Sequence, residues 1–282
     1  MWALVVPVLS DRHYGEKAPE RSQQTAPYLV LCCTAPPQQS KIGTMEIEAG
    51  ISKIVPVADD VMAIRTIERP KGGLSIILVE SLSRPKFRGK SLCSAIAEQV
   101  AALLATGVRD GAAARAASDT LFTDYDGSAS ARLSIASADL QSGTLVISTN
   151  GSVPYFVASN GEVTCLNMEA AAIGTERNIR PTIHELPLEP GLALVMYTSG
   201  IERAGELSGQ NIDICAYLET SLESEGFLAQ QLADELLAEA ARLQEAKKSL
   251  PLGVVALHVG SQRTDGIHRT TYRIPVSEQT HV

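Results

Sequence analysis

The chain has 282 residues, 45% of them hydrophobic, with 24 Lys and Arg against 32 Asp and Glu and a formal net charge of −8. That much apolar material buries one large core or two small ones, so a single domain with appendages is expected. The acidic balance excludes a nucleic-acid footprint spread over the whole surface and leaves room only for a local basic patch.

In chain order, Met1 to Leu9 is apolar but lacks a basic leader, is too short to span a bilayer and has no clear cleavage site, which argues against a signal peptide. Ser10 to Thr44 is rich in Pro, Gln and Ser without sustained periodicity, so residues 1–44 read as a disordered or loosely attached arm. Met45 opens the first clean strand pattern and is a candidate for the natural start. Strands are predicted over Glu46 to Val57 and Val61 to Ile67, and Leu74 to Val79 has the continuous apolar character of a central strand. Leu92, Ile96, Val100, Leu103 and Leu104 recur at helical spacing up to Gly107, and an Ala-rich helix follows from Asp110 to Phe122.

Strands separated by turn signals come next: Ala129 to Leu140, Thr144 to Thr149, Pro154 to Ala158, Glu162 to Leu166, Ile179 to Leu188 and Leu192 to Thr198. Asn160-Gly161 between apolar runs is a hairpin signal. A long helix over Gly226 to Lys248 and a core strand over Leu252 to Val259 complete the domain, and Ile267 to Val276 adds an edge strand or tail. This order lacks regular βαβ alternation, so the fold class is α+β with largely antiparallel sheets and helices on their outer faces.

Five cysteines, Cys32, Cys33, Cys93, Cys165 and Cys215, form no C-x-x-C pair, and no His stands at zinc-ligand spacing. Neither a disulfide framework nor a structural zinc site is favoured, and a reducing cytoplasm fits. Cys93 and Cys215 read as packed thiols, His184 and His258 as core or edge histidines, and Glu219, Glu223 and Glu225 as a solvated acidic surface.

Three segments carry a resemblance: Ala131 to Leu140 with Ser142-Gly143; Thr144 to Pro154, containing Asn150-Gly151; and Pro187 to Gly191 running through Leu192 to Thr198 into Ser199-Gly200. With the hairpin at Ala158 to Val163 and the turn at Ile173-Gly174, they resemble the SpoIIE-like branch of the metal-dependent, PPM-type serine/threonine phosphatases, over roughly Met45 to Gly260. The resemblance implies two antiparallel sheets packed face to face between helices, in a domain spanning 45–260, with 261–282 as edge strand or tail. It also implies a pair of manganese or magnesium ions that activate a bridging water for attack on a phosphoserine or phosphothreonine, held by carboxylates at strand ends.

At the family's metal positions this chain departs from the pattern. Asp59-Asp60 falls near the first, either as ligands or as a solvated turn; Glu80 stands at the second, with an extra methylene and no following glycine. Ser199, followed by Gly200, replaces the aspartate of the third, and Leu250-Pro251 replaces the acidic pair of the fourth. Ser152 stands where the family's middle motif has histidine.

Between Glu80 and the following helix, Arg84, Lys86, Arg88 and Lys90 occupy alternate positions before Ser91. A nucleotide-binding P-loop is disfavoured by Arg84 at its first glycine position and by the lack of a convincing Walker B strand. Arg84, Arg88, Lys90 and Ser91 instead read as an anion site at a helix N-terminus or as a solvated basic loop.

The family implies bacterial partner-switching signalling, with a phosphorylated anti-sigma-antagonist-like regulator or its kinase as partner, no nucleic acid and no membrane span. The residues imply a catalytically impaired regulatory or phospho-partner-binding member. The alternative is an active manganese- or magnesium-dependent phosphatase rebuilt from Asp59, Asp60, Glu80 and Glu202.

Overall fold

In the computed structural model, residues 45–54, 61–83, 91–152, 154–167, 169–224, 226–244 and 250–261 are described. Two five-stranded antiparallel sheets form the frame. The first contains β1 (Met45–Ile54), β6 (Tyr155–Ser159), β7 (Glu162–Leu166), β9 (Ala193–Tyr197) and β10 (Leu252–Ser261), in the order β1-β10-β9-β6-β7. The second runs β2-β3-β4-β5-β8, built from β2 (Met62–Glu68), β3 (Gly73–Ser81), β4 (Ala131–Asp139), β5 (Thr144–Asn150) and β8 (Thr182–Pro187). Hairpin connectivity is the reason for the antiparallel order: Asn160 and Gly161 both take positive φ, 54° and 78°, as a tight turn between β6 and β7 demands.

Strand alternation sorts the apolar side chains into three layers. Ile76 and Leu78 of β3, Ala136 and Ala138 of β4, Leu145 and Ile147 of β5, Leu194 and Met196 of β9, and Val255 and Leu257 of β10 fill the space between the sheets. The intervening residues Ile77, Val79, Leu133 and Ile135 face α1 (Leu92–Ala105) and α2 (Asp110–Tyr125). On the far side, Val195, Tyr197, Val254 and Ala256 face α4 (Ile214–Glu223) and α5 (Ala229–Leu243), and the four-residue α3 (Ser199–Glu202) follows β9 directly. Each fully buried Leu or Ile contributes about 1.5–3 kcal/mol of hydrophobic stabilisation, so these layers dominate the fold's energetics.

Several boundaries differ from the sequence pattern. The strand predicted over Ile179 to Leu188 is only Thr182–Pro187, because Ile179 packs into the layer under α1 and α2 instead of pairing. α2 continues past Phe122 to Tyr125 and ends where Asp126 takes φ 49° and its N–H reaches the Phe122 carbonyl. α5 stops at Leu243, short of Lys248. Both α3 and α4 are additions to the predicted elements. Cys93 is fully buried, as a packed thiol should be, whereas Cys215 in α4 is partly exposed and donates its S–H to Glu219 at 3.4 Å. The predicted arm over 1–44 and the edge strand over Ile267 to Val276 lie outside the described residues.

Candidate functional site

At one end of the space between the sheets the apolar rows give way to polar residues. Glu80 continues the inward-facing row of Ile76 and Leu78 at the end of β3, and its register partner on β4 is Arg132. Ser134 and Thr149 are paired across β4 and β5 one row further in, and both are buried. On the opposite sheet, β9 ends in the fully buried Thr198 and turns into α3 at Ser199.

Glu80 joins these elements. Only 5% of the residue is exposed, and an isolated buried carboxylate costs several kcal/mol unless it is neutralised and hydrogen-bonded. Both requirements are met here. Arg132 Nη1 lies 3.3 Å from Oε2, the Ser199 backbone N–H donates to the same oxygen at 3.1 Å, and the Ser199 hydroxyl donates to Oε1. The Ser199 contacts cross from one sheet to the other.

Two glycines make this arrangement possible by close approach. A Cβ on Gly151 would sit 2.7 Å from Arg132 Cγ, so the glycine of the Asn150-Gly151 motif leaves room for the arginine stem, and φ there is +84°. A Cβ on Gly200 would sit 2.3 Å from the Pro251 carbonyl oxygen, so α3 can start only against backbone. Thr198 completes the junction, donating its hydroxyl to the Pro251 carbonyl at 2.8 Å and accepting from the Gly253 N–H at 3.0 Å.

The structure thus brings to one edge three of the four places where the sequence resemblance put metal ligands: Glu80, Ser199-Gly200, and the chain at Pro251. Asp59 and Asp60 lie outside the described residues, just before Val61, whose carbonyl accepts from the Ser81 N–H at 2.8 Å. Glu202 is the last residue of α3. It interacts electrostatically with Cys165 and Tyr197 toward the helix-covered face of the first sheet, where burial and these neighbours push the Tyr197 hydroxyl well above its usual range.

The described residues at this edge do not by themselves make up the donor set of a divalent metal pair. Among the described residues no three of His, Cys, Asp and Glu approach closely enough to hold a metal ion. Glu80 is also turned toward a guanidinium, whose positive charge opposes that of a dication.

Of the predicted anion site, Arg84, Arg88 and Lys90 lie outside the described residues. Ser91 is the N-cap of α1, its side chain accepting from the Ser94 N–H at 3.1 Å. That hydroxyl satisfies one of the helix's free donors. Sequence reasoning missed Arg132, which carries the site's positive charge. The available signal was an arginine at the start of a strand whose next six residues are all small or apolar.

The described part of the chain has no helix long and apolar enough to cross a membrane. No curated protein sequence matches the chain. Among solved structures, the phosphatase domain of the cell-fate determinant SpoIIE from Bacillus subtilis, with a fragment of its regulatory domain, is similar at TM-score 0.62 and 15% identity. The match covers 78% of this chain and 64% of that one, so the present chain spans less than two thirds of that relative's length. The catalytic domain of the serine/threonine phosphatase PstP in complex with two manganese ions matches at TM-score 0.56 and 14% identity, covering 77% of this chain and all of that one (100%). RsbX in complex with magnesium matches at 0.55 and 12%, covering 77% and 99%.

These identities establish a shared PPM-phosphatase fold. The family model for stage II sporulation protein E matches residues 89–251, more than half of the chain and including Arg132, the Asn150-Gly151 motif and Ser199. On its sequence and its two-sheet architecture together, the chain belongs to the SpoIIE family.

Proposed function

We propose that this SpoIIE-family protein is a catalytically impaired phosphatase-like module of bacterial signalling, which binds a phosphorylated protein regulator or its kinase instead of turning the phosphoprotein over. One observation carries the reading: the Glu80 carboxylate, at a metal position of the family, is held by Arg132 and Ser199. Two-metal hydrolysis needs several carboxylates to neutralise two dications and a bridging hydroxide, and the serine and proline at the third and fourth positions supply none. A cytoplasmic location follows from the proposed partner class and from the cysteine pattern. The basic residues Arg84, Arg88 and Lys90 supply the charge for a phosphoryl group in this reading.

The alternative, an active phosphatase using manganese or magnesium, is favoured by two comparisons, the manganese-bound PstP domain and magnesium-bound RsbX. One experiment separates the two. The full chain is incubated with a serine-phosphorylated anti-sigma-antagonist-type protein, with and without manganese, and both complex formation and free phosphate are measured. Stable binding that depends on the phosphoryl group, with no manganese-dependent phosphate release, is expected. Release of phosphate that is lost in Asp60→Asn overturns the reading.

A further inference from the structure

We infer that the Arg132, Glu80 and Ser199 cluster is a built-in tie between the two sheets, doing with protein groups what a bound metal pair would do at that edge, so that the fold's stability is independent of divalent metal. The inference concerns the fold itself and stands whether or not a phosphoprotein docks.

The argument is one of charge and position. Carboxylates brought together from two sheets repel one another, and dications between them turn that repulsion into a cross-link. Here the facing groups complement one another without a metal. The first sheet offers the Ser199 hydroxyl and backbone N–H, both donors; an aspartate there would keep the N–H but replace the hydroxyl with a carboxylate that only accepts. The second sheet offers Glu80 as acceptor and, on the neighbouring strand, Arg132 as its counter-charge.

Each Glu80 oxygen has at least one donor, and the pair carries no net charge. Ser199 is 119 positions from Glu80, so these hydrogen bonds hold together distant parts of the chain. The supporting backbone is equally committed: Gly151 makes space for the Arg132 stem, and Thr198 fixes the residue before Ser199 against Pro251 and Gly253. A metal entering this edge would have to displace the guanidinium and strip Ser199 from the carboxylate.

Thermal unfolding of the full chain in EDTA, magnesium and manganese tests the inference, with calorimetric manganese titration alongside. A specific site filled at a hundredfold excess over its Kd raises the midpoint by about 5 °C or more in a chain of this size. The expected result is no such rise. A rise that disappears in Glu80→Gln overturns the inference by placing the metal at this edge, and a rise that persists overturns it by showing that metal bound elsewhere stabilises the fold.

The second arm uses Arg132→Met, Glu80→Met and the double variant. Each single change leaves one partner uncompensated and lowers the midpoint by about 6–15 °C, while the double variant loses less than the sum. Additive losses overturn the inference. Should the single variants fail to fold, Ser199→Ala removes only the hydroxyl donor and lowers the midpoint by about 3–10 °C. An unchanged midpoint there counts equally against the tie.

Discussion

Replacing Thr198 by valine tests how firmly the junction behind the site is held. The two side chains have nearly the same shape, so packing is preserved and only hydrogen bonding changes. The Thr198 hydroxyl is a donor to the Pro251 carbonyl at 2.8 Å and an acceptor from the Gly253 N–H at 3.0 Å, in a residue with no exposed surface. Valine leaves both backbone groups without that partner in a place water does not reach. At about 1–3 kcal/mol for each stranded group, the substitution costs about 3 kcal/mol in total, or about 6–12 °C in the unfolding midpoint. Thr198→Ser is the control, because it keeps the oxygen and loses one methyl, at about 1 kcal/mol. Urea unfolding followed by circular dichroism should therefore rank wild type above Ser above Val, with an unchanged denaturant slope. A valine variant as stable as the serine variant would refute the assignment of the Thr198 hydroxyl as the clamp between β9 and β10.

Two pH dependences of opposite sign follow from buried groups away from this edge. Asp110 at the start of α2 accepts from Ser137 Oγ at 3.0 Å and pairs with Arg69 at 3.1 Å, yet burial outweighs both and raises its carboxyl above the usual 3.8. The native state therefore binds this proton more tightly than the unfolded chain, so its contribution is full below about pH 3.8 and is lost as pH rises through the raised value. Asp110→Asn should abolish that decline in acid-range melts and cost little at neutral pH; a loss of about 3–5 kcal/mol, as for a broken buried pair, would show that the Arg69 charge dominates instead. His258 stacks on Phe227 with ring centroids 4.3 Å apart, and burial lowers its pKa below 6.5. Its neutral form favours the fold above pH 6.5, and that stability is lost as pH falls through the lowered value; His258→Phe should flatten this part of the profile, and an unchanged slope would exclude His258 as the source.

The architecture was legible where a local signal and the tertiary context agree. Leu74 to Val79 reads as a central strand because both of its faces are covered, one by the opposite sheet and one by α1 and α2, which leaves it apolar except for Ser75. Asn160-Gly161 fixes its hairpin because both residues tolerate positive φ. α4 escaped notice because it buries little: only Ile214 and Leu218 are fully covered, too few to show a helical period. Its start was nevertheless written in Asp213, whose side chain accepts from the Ala216 N–H at 3.0 Å. The ends of α2 and β8 were misread for a different reason. Asp126 can end a helix in the left-handed region as glycine does, and Ile179 is apolar because of a helix layer above it, with no strand partner.

The site was legible as a series of losses and illegible as a replacement. Counting carboxylates in the sequence shows that Ser199 and Pro251 are not acids, and from that count Glu80 is a leftover ligand. What the count cannot contain is register. Arg132 lies 52 positions from Glu80, and only the pairing of β3 with β4 sets them opposite one another on the inward face. Once they are opposed, Glu80 acquires a different meaning: removing Ser199's family aspartate and adding a guanidinium both move the edge from net negative toward neutral. A chain that had merely lost its ligands would leave Glu80 as an unneutralised buried charge, a cost of several kcal/mol that nothing else in the fold offsets. Arg132, with a glycine at 151 making space for it, supplies that neutralising charge, so the tie between the sheets that we infer and the loss of metal chemistry that we propose stand on the same pair of residues.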